Sequence, residues 1–212
     1  MLVVVSFVER DALGRIVYDF TLQNYIRALD WLWLKVFFTS IWYALLATLI
    51  CLVVGYPVAY CIGRAPLRWR GLLLMLVMVP FWTSFLIRTY AWITILSKDG
   101  LLNSLLVSAG IFTQPAEFLY TPFAIVLGLV YNFLPFMILP IYTSVEKLDN
   151  ALIEAAYDLG AGPLRAFSQV IIPLTRPGIA AGAMLVFVPS IAMFAITTLM
   201  GGGSNPTIGE VI

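Results

Sequence analysis

Four stretches of this chain, residues 36–62, 71–96, 119–143 and 178–199, contain no aspartate or glutamate, and Arg88 is the only charge well inside any of them. Roughly 20 predominantly apolar residues are enough to cross the hydrocarbon core of a bilayer, so each stretch reads as a membrane span. Composition points the same way: the chain is 62% hydrophobic and 11% charged, where soluble domains run near ~45–50% and ~25%. A chain of 212 residues cannot hide that much apolar surface from water, and the bilayer is its expected solvent.

Several classes of function drop out at once. The net charge of +1 offers no electrostatic footprint for nucleic acid. Cys51 and Cys61 both fall in the first apolar run and read as packing residues, without metal-ligand spacing. Histidine is absent, which removes the commonest general base and metal ligand. With no acid in any span either, an intramembrane enzyme lacks acid–base chemistry. The same absence counts against a self-contained ion-coupled carrier, which keeps carboxylates in its spans as relays. No G-x-x-x-x-G-K-[ST] run occurs, so any nucleotide site belongs to another polypeptide.

The chain divides into residues 1–35, a core over 36–199 and a closing segment 200–212. Residues 1–8 are apolar but too short to cross and have no basic flank or cleavage site. They read as the tail of a helix whose beginning is missing, ahead of an outer N-terminal segment. The end at Ile212 reads as cut, so first and last helices are both expected beyond the sequence. Orientation follows from Lys and Arg in short loops. Arg64, Arg68 and Arg70 place the first link in the cytoplasm, 97–118 with only Lys98 falls outside, and 144–177 with Lys147, Arg165 and Arg176 falls inside. Arg10, Arg15 and Arg27 in the outer N-terminal segment oppose this assignment.

Pro57, Pro80, Pro135, Pro140 and Pro189 lie well inside the apolar runs. A proline costs a soluble helix interior about 3 kcal/mol, but in membranes neighbouring helices and water can satisfy the freed carbonyls. Broken helices suit a bundle around a cavity, and equally suit kinked packing in any polytopic protein. Arg88 either snorkels to the outer surface or faces the bundle interior, because a central arginine costs about 2.5–3.5 kcal/mol. Trp31, Trp33, Trp42, Trp82 and Trp92 read first as interfacial belts, with cation–π contact to a cationic solute as the other reading. Arg88, Trp82, Tyr90 and Tyr131 are the candidate pathway residues.

The most informative stretch is 148–177, LDNALIEAAYDLGAGPLRAFSQVIIPLTRP. Asp149 is placed to cap a helix and Gly160 to end it in the left-handed conformation. Leu148, Leu152, Ala155, Ala156 and Leu159 share one face, with Asn150, Glu154 and Asp158 on the other, which makes a short amphipathic helix. Gly162-Pro163 then turns, with Pro163 suited to the first position of a second helix. Leu164, Phe167 and Ile171 share a face of that helix, and Pro173 is expected to close it. The pattern predicts a helix–turn–helix elbow on the cytoplasmic side, its apolar face and acidic edge available to a groove on a soluble partner.

Glu154-Ala155-Ala156, then Gly160, then Val170-Ile171-Ile172-Pro173 resemble the EAA loop of ABC importer permeases. The usual pattern is E-A-A, three residues, G, nine residues and I-x-L-P; here Val170 and Ile172 replace Ile and Leu with the spacing intact. PFWTSFLIRTYAW, FTLQNY, LPFMILPIY and LMGGGSNPTIGEVI are similar to the spermidine/putrescine permease B subunits, so the resemblance covers nearly the whole chain. It implies an all-α, polytopic transmembrane helix bundle of the type I ABC importer (MetI-like) class, with a cytoplasmic coupling-helix loop. It further implies a multi-pass protein of the bacterial inner membrane, surrounded by lipid, that forms a solute pathway without hydrolysing ATP or holding a cofactor. Its implied partners are an ABC ATPase dimer, which binds the ATP, a second permease subunit in a heterodimer, and a periplasmic solute-binding protein. In the coupling loop, the implied contacts are Glu154, Ala155, Ala156, Asp158, Gly160, Pro163 and Pro173. Polyamine is the implied solute; related permeases serve iron(III), thiamine or phosphonate-like solutes, and these stay open.

Overall fold

The computed structural model describes residues 8–10, 16–20 and 31–202. Strands β1 (Val8–Arg10) and β2 (Ile16–Phe20) pair antiparallel, with an irregularity between Val8 and Glu9. All other regular elements among the described residues are helical. The helix remnant expected at residues 1–8 lies outside the described residues except for Val8, which is in a strand. FTLQNY beyond Phe20 and the closing segment beyond Gly202 also lie outside them.

Three long helices make the frame. Helix α1 spans Trp31–Arg64, α5 spans Pro122–Glu146 and α7 spans Pro163–Ala192. At ~1.5 Å per residue, each exceeds or approaches the ~30 Å hydrocarbon core. Thr121 caps α5 by accepting from the Ala124 N–H at 3.3 Å, with Pro122 at the first helical position, where its missing donor costs nothing. Helix α5 is the buried centre, touching both α1 and α7, which also touch each other. Ala44, Ala47, Cys51 and Ala59 of α1, Leu129, Met137 and Ile141 of α5, and Val186 of α7 are sealed inside. Small residues set the spacing, as expected where van der Waals packing drives membrane helices together. At Gly178 a side chain has no room, because an added Cβ would come within 2.5 Å of the Pro140 carbonyl oxygen.

The second expected span, 71–96, is not one helix. Helix α2 (Leu67–Met78) runs into a 3-10 turn at Val79–Trp82, and α3 (Phe85–Leu96) restarts in a new direction, the segment Phe85–Ser108 standing at 87° to Leu67–Trp82. Pro80 supplies no N–H, the Thr83 hydroxyl takes the Pro80 carbonyl at 2.7 Å, and Thr83 itself is extended. Apolar character continues through the break, which is why composition alone reads it as one element. The link over 97–118 also carries structure of its own: α4 (Leu101–Ser108) packs on α3. Its buried Asn103 donates to the Ser97 carbonyl (3.0 Å) and the Ala116 carbonyl (2.9 Å) and accepts from the Ala116 N–H (2.9 Å).

The fourth expected span, 178–199, begins earlier and stops sooner. Helix α7 starts at Pro163 and ends at Ala192; Met193 is extended, and α8 (Phe194–Gly201) follows as a separate helix. The break falls four residues after Pro189, whose ring removes one rung of the ladder. Helix α8 ends at Gly202 in the left-handed region (φ 63°) and bonds back, the Tyr120 N–H donating to the Met200 carbonyl at 3.0 Å. Of the two cysteines, Cys51 is buried and Cys61 is exposed, so the packing reading holds for Cys51 alone.

Candidate functional site

Helix α6 spans Asn150–Asp158 and forms the first arm of the elbow. The Asp149 carboxylate accepts from the Ala151 N–H at 3.0 Å, satisfying one orphan donor at the helix start. At the other end Gly160 has φ 80°, with Gly160 N–H donating to the Tyr157 carbonyl and Ala161 N–H to the Ala156 carbonyl at 3.0 Å. That double bond pattern is the Schellman ending, which needs a left-handed residue where glycine sits. Open space surrounds Gly160, so its constraint is conformational and not steric crowding. Gly162 is extended, and Pro163 opens α7 at its first position.

Ala156 points inward and Ile153 is half-buried, while Glu154, Ala155 and Asp158 are exposed. The apolar residues around them are exposed too: Leu152 at 49%, Leu164 at 82% and Leu159 at 89%. The elbow therefore presents leucines beside two carboxylates, with Ala156 of its first arm and Ala166 and Ile171 of its second turned to the body of the protein.

Pro173 does not close the second arm. A π-helical turn occupies Phe167–Ile171, in which the Ile172 N–H reaches the Phe167 carbonyl, and the helix continues through Pro173 into the long part of α7. A proline ring normally clashes with the carbonyl four residues back, and the wider π turn immediately before it relieves that crowding. The second arm of the elbow and the membrane part of α7 are thus one continuous helix.

Two polar contacts tie the elbow end to the basic link after α1. The Arg64 guanidinium donates to the Asn150 side-chain oxygen. Arg70 pairs with Glu146 at 3.3 Å and donates to the Ala65 carbonyl at 2.8 Å. Arg64, Arg68, Arg70 and the elbow therefore share one end of the bundle, the distribution that marks a cytoplasmic face. Sequence reading placed these residues near the same face, but nothing in their spacing of 76 or 86 positions announces a pair.

The candidate pathway residues do not form one cluster in the same sense. Arg88 lies in the first turn of α3, its guanidinium 5.0 Å from the Phe81 ring across the helix break. Trp82 and Tyr90 are exposed, and Tyr131 meets Trp92 edge-on at 5.4 Å.

At the far end of α5, a cavity of about 410 Å³ is lined by Leu96, Leu119, Tyr120 and Thr121 with the Lys98–Glu117 ion pair at its rim. The hydrogen bond and charge of Lys98 hold the Glu117 carboxyl below its ordinary range, and Glu117 raises the Lys98 ammonium in return. Among the described residues, no three His, Cys, Asp or Glu come together in a metal-binding group.

The sequence matches the family model for the binding-protein-dependent transport system inner membrane component over residues 1–212. It is 48% identical to the spermidine/putrescine transport system permease protein PotB of Escherichia coli, over the whole chain and 77% of that protein. It is 43% identical to PotB of Haemophilus influenzae, over the whole chain and 74% of that protein. It is 32% identical over 170 residues to the inner membrane ABC transporter permease protein YdcU of Escherichia coli, covering 74% of this chain and 54% of the relative. Permeases of this kind work with an ATPase and a solute-binding protein, carry no cofactor and do no catalysis themselves. This chain belongs to that family, as a multi-pass permease subunit of an inner-membrane ABC importer.

Proposed function

We propose that the chain carries polyamines of the spermidine and putrescine class inward, paired with a second, non-identical permease subunit. The observation that carries the solute assignment is 48% identity along the entire chain to a permease named for spermidine/putrescine transport. The spans hold no carboxylate to attract a di- or tri-cation, so selectivity rests largely on the binding protein that delivers the solute. Trp82, Tyr90 and Tyr131 supply aromatic faces of the kind an alkylammonium chain prefers. Arg88 lies over the Phe81 ring, beside the helix break.

The elbow is the coupling element. Leu152, Leu159 and Leu164, flanked by Glu154 and Asp158, fill an apolar groove with a basic rim on the ATPase. Ala155 lets the two surfaces approach closely. Glu154 pairs with the rim, and Gly160 and Pro163 fix the angle between the arms. ATP-driven closure of the ATPase pair moves the elbow and, through α7, switches the bundle between outward- and inward-open states.

The test is uptake into proteoliposomes holding the complete importer, with binding protein and radiolabelled spermidine outside and ATP inside. Saturable, ATP-dependent spermidine uptake is expected, competed by putrescine. Glu154→Lys should abolish uptake and release the ATPase on purification while leaving membrane insertion unchanged. Retention of the ATPase and normal uptake by that variant would remove the elbow from this role. Uptake of a metal or oxyanion in place of spermidine would reassign the solute while leaving the coupling element intact.

A further inference from the structure

The rod that joins elbow to membrane has a weak joint, and the structure splints it from outside. Pro173 supplies no N–H for the Gln169 carbonyl, and Pro177 supplies none for the carbonyl of Pro173. Directly before them, the π turn at Phe167–Ile171 widens the helix. Lost rungs and a wide turn are where helices bend. A push on the elbow would on these grounds dissipate as bending near residues 167–177, short of the upper part of α7.

Side chains of α1 bridge that joint. Phe167, at the start of the π turn, meets Tyr56 edge-on at 5.5 Å and Tyr60 at 6.1 Å, both close to perpendicular. Above the turn, Thr175 is fully buried and lies 2.9 Å from the Tyr56 hydroxyl. The Thr175 hydroxyl sits 2.9 Å from the Ile171 carbonyl and 3.2 Å from that of Ile172. With its one proton committed there, it is left to accept from Tyr56. One buried side chain, Tyr56, therefore holds both ends of the π turn, by its ring at Phe167 and its hydroxyl at Thr175.

We infer that Tyr56, with Phe167 and Thr175, is the positioning contact that carries elbow movement across the π turn into α1 and upper α7. The inference rests on the elbow being the ATPase contact, and it assigns these three residues a part in transmission, distinct from docking. Loss of the contact should leave the ATPase bound and hydrolysing while less solute moves per ATP.

The experiment measures spermidine taken up per ATP hydrolysed by the complete importer in proteoliposomes. Phe167→Ala should lower that ratio roughly tenfold, in line with the worth of a buried aromatic pair, with the ATPase still co-purifying and Phe167→Tyr restoring the ratio. Tyr56→Phe and Thr175→Val, which keep shape and remove the hydroxyl contact, should each lower it about threefold. Their combination should be no worse than Thr175→Val alone, because the Tyr56–Thr175 bond is already gone in that variant. These two variants decide the matter if Phe167→Ala does not assemble. Uptake and hydrolysis falling in parallel, with the ratio unchanged, would overturn the inference and make the contact merely structural. Release of the ATPase by Phe167→Ala would also overturn it, moving Phe167 into docking. Failure of the docking reading itself is distinguishable, since there Glu154→Lys keeps its ATPase.

Discussion

The elbow and the bent helix pair are both breaks in helical chain, and they are built in opposite ways. At the elbow each arm carries its own punctuation: Asp149 caps, Gly160 ends in the left-handed region, and Pro163 restarts. Most of its side chains face away from the protein, and only Ala156 is fully committed inward along α6. At the bend between α2 and α3 there is a proline and a threonine back-bond, but no side chain caps the start of α3. There α3 is held by distant partners, α5 and α8, and the link after it by Asn103 to Ala116. A break punctuated by its own cap, left-handed glycine and first-turn proline is specified locally. One whose angle depends on the surrounding bundle is specified by contacts far away in sequence.

That contrast can be broken most directly at Gly160. Gly160→Val places a β-branched residue at φ 80°, a conformation costing roughly 1–3 kcal/mol. Uptake should be lost and the ATPase released on purification, while the membrane-inserted amount is unchanged. Wild-type uptake by this variant would mean that the elbow angle is not set locally.

Asn103→Ala tests the other half. It removes three hydrogen bonds from a buried side chain and strands backbone groups at about 1–3 kcal/mol for an unsatisfied partner. Hydrogen exchange should accelerate across 97–118 and leave 149–162 unchanged. Equal acceleration in both segments would show that the two breaks are not independent. Asp149→Ala is the smaller, local counterpart: loss of the cap should cost about 1 kcal/mol, seen as faster exchange at the first amides of α6 alone.

The smallest effect concerns the exposed Lys98–Glu117 pair. Glu117 is held below its ordinary range, so its contribution is complete above the usual glutamate pKa and is lost as pH falls through the lowered one. Lys98 is raised, so its contribution is complete below the usual lysine pKa and is lost as pH rises through the raised one. The thermal midpoint of the complete protein in detergent should therefore show a flat, slight plateau at neutral pH, and Glu117→Gln should flatten the acid edge.

Much of the elbow could be read before any fold was known, because caps, left-handed glycines and first-turn prolines act over three or four residues. Glu154, Asp158, Gly160 and Pro163 stand where local rules put them. Pro173 misled for the same reason: a proline reads as a stop unless a π turn precedes it, and π turns have no signature of their own. The bend after Trp82 was hidden by uniform apolar composition, which keeps no record of direction, and the run of α7 on from Pro163 into the fourth expected span was hidden behind Pro173.

By itself, then, the sequence determined that the chain lives in a bilayer, that it carries a capped amphipathic elbow, and that no nucleotide motif or intramembrane acid lies within it. Those properties depend on composition and on interactions between near neighbours. Only the tertiary structure decided that α5 is the buried centre, that Arg70 meets Glu146, and that Tyr56 bridges Phe167 and Thr175. Such pairings join residues dozens of positions apart, and their energy exists only once the helices have packed.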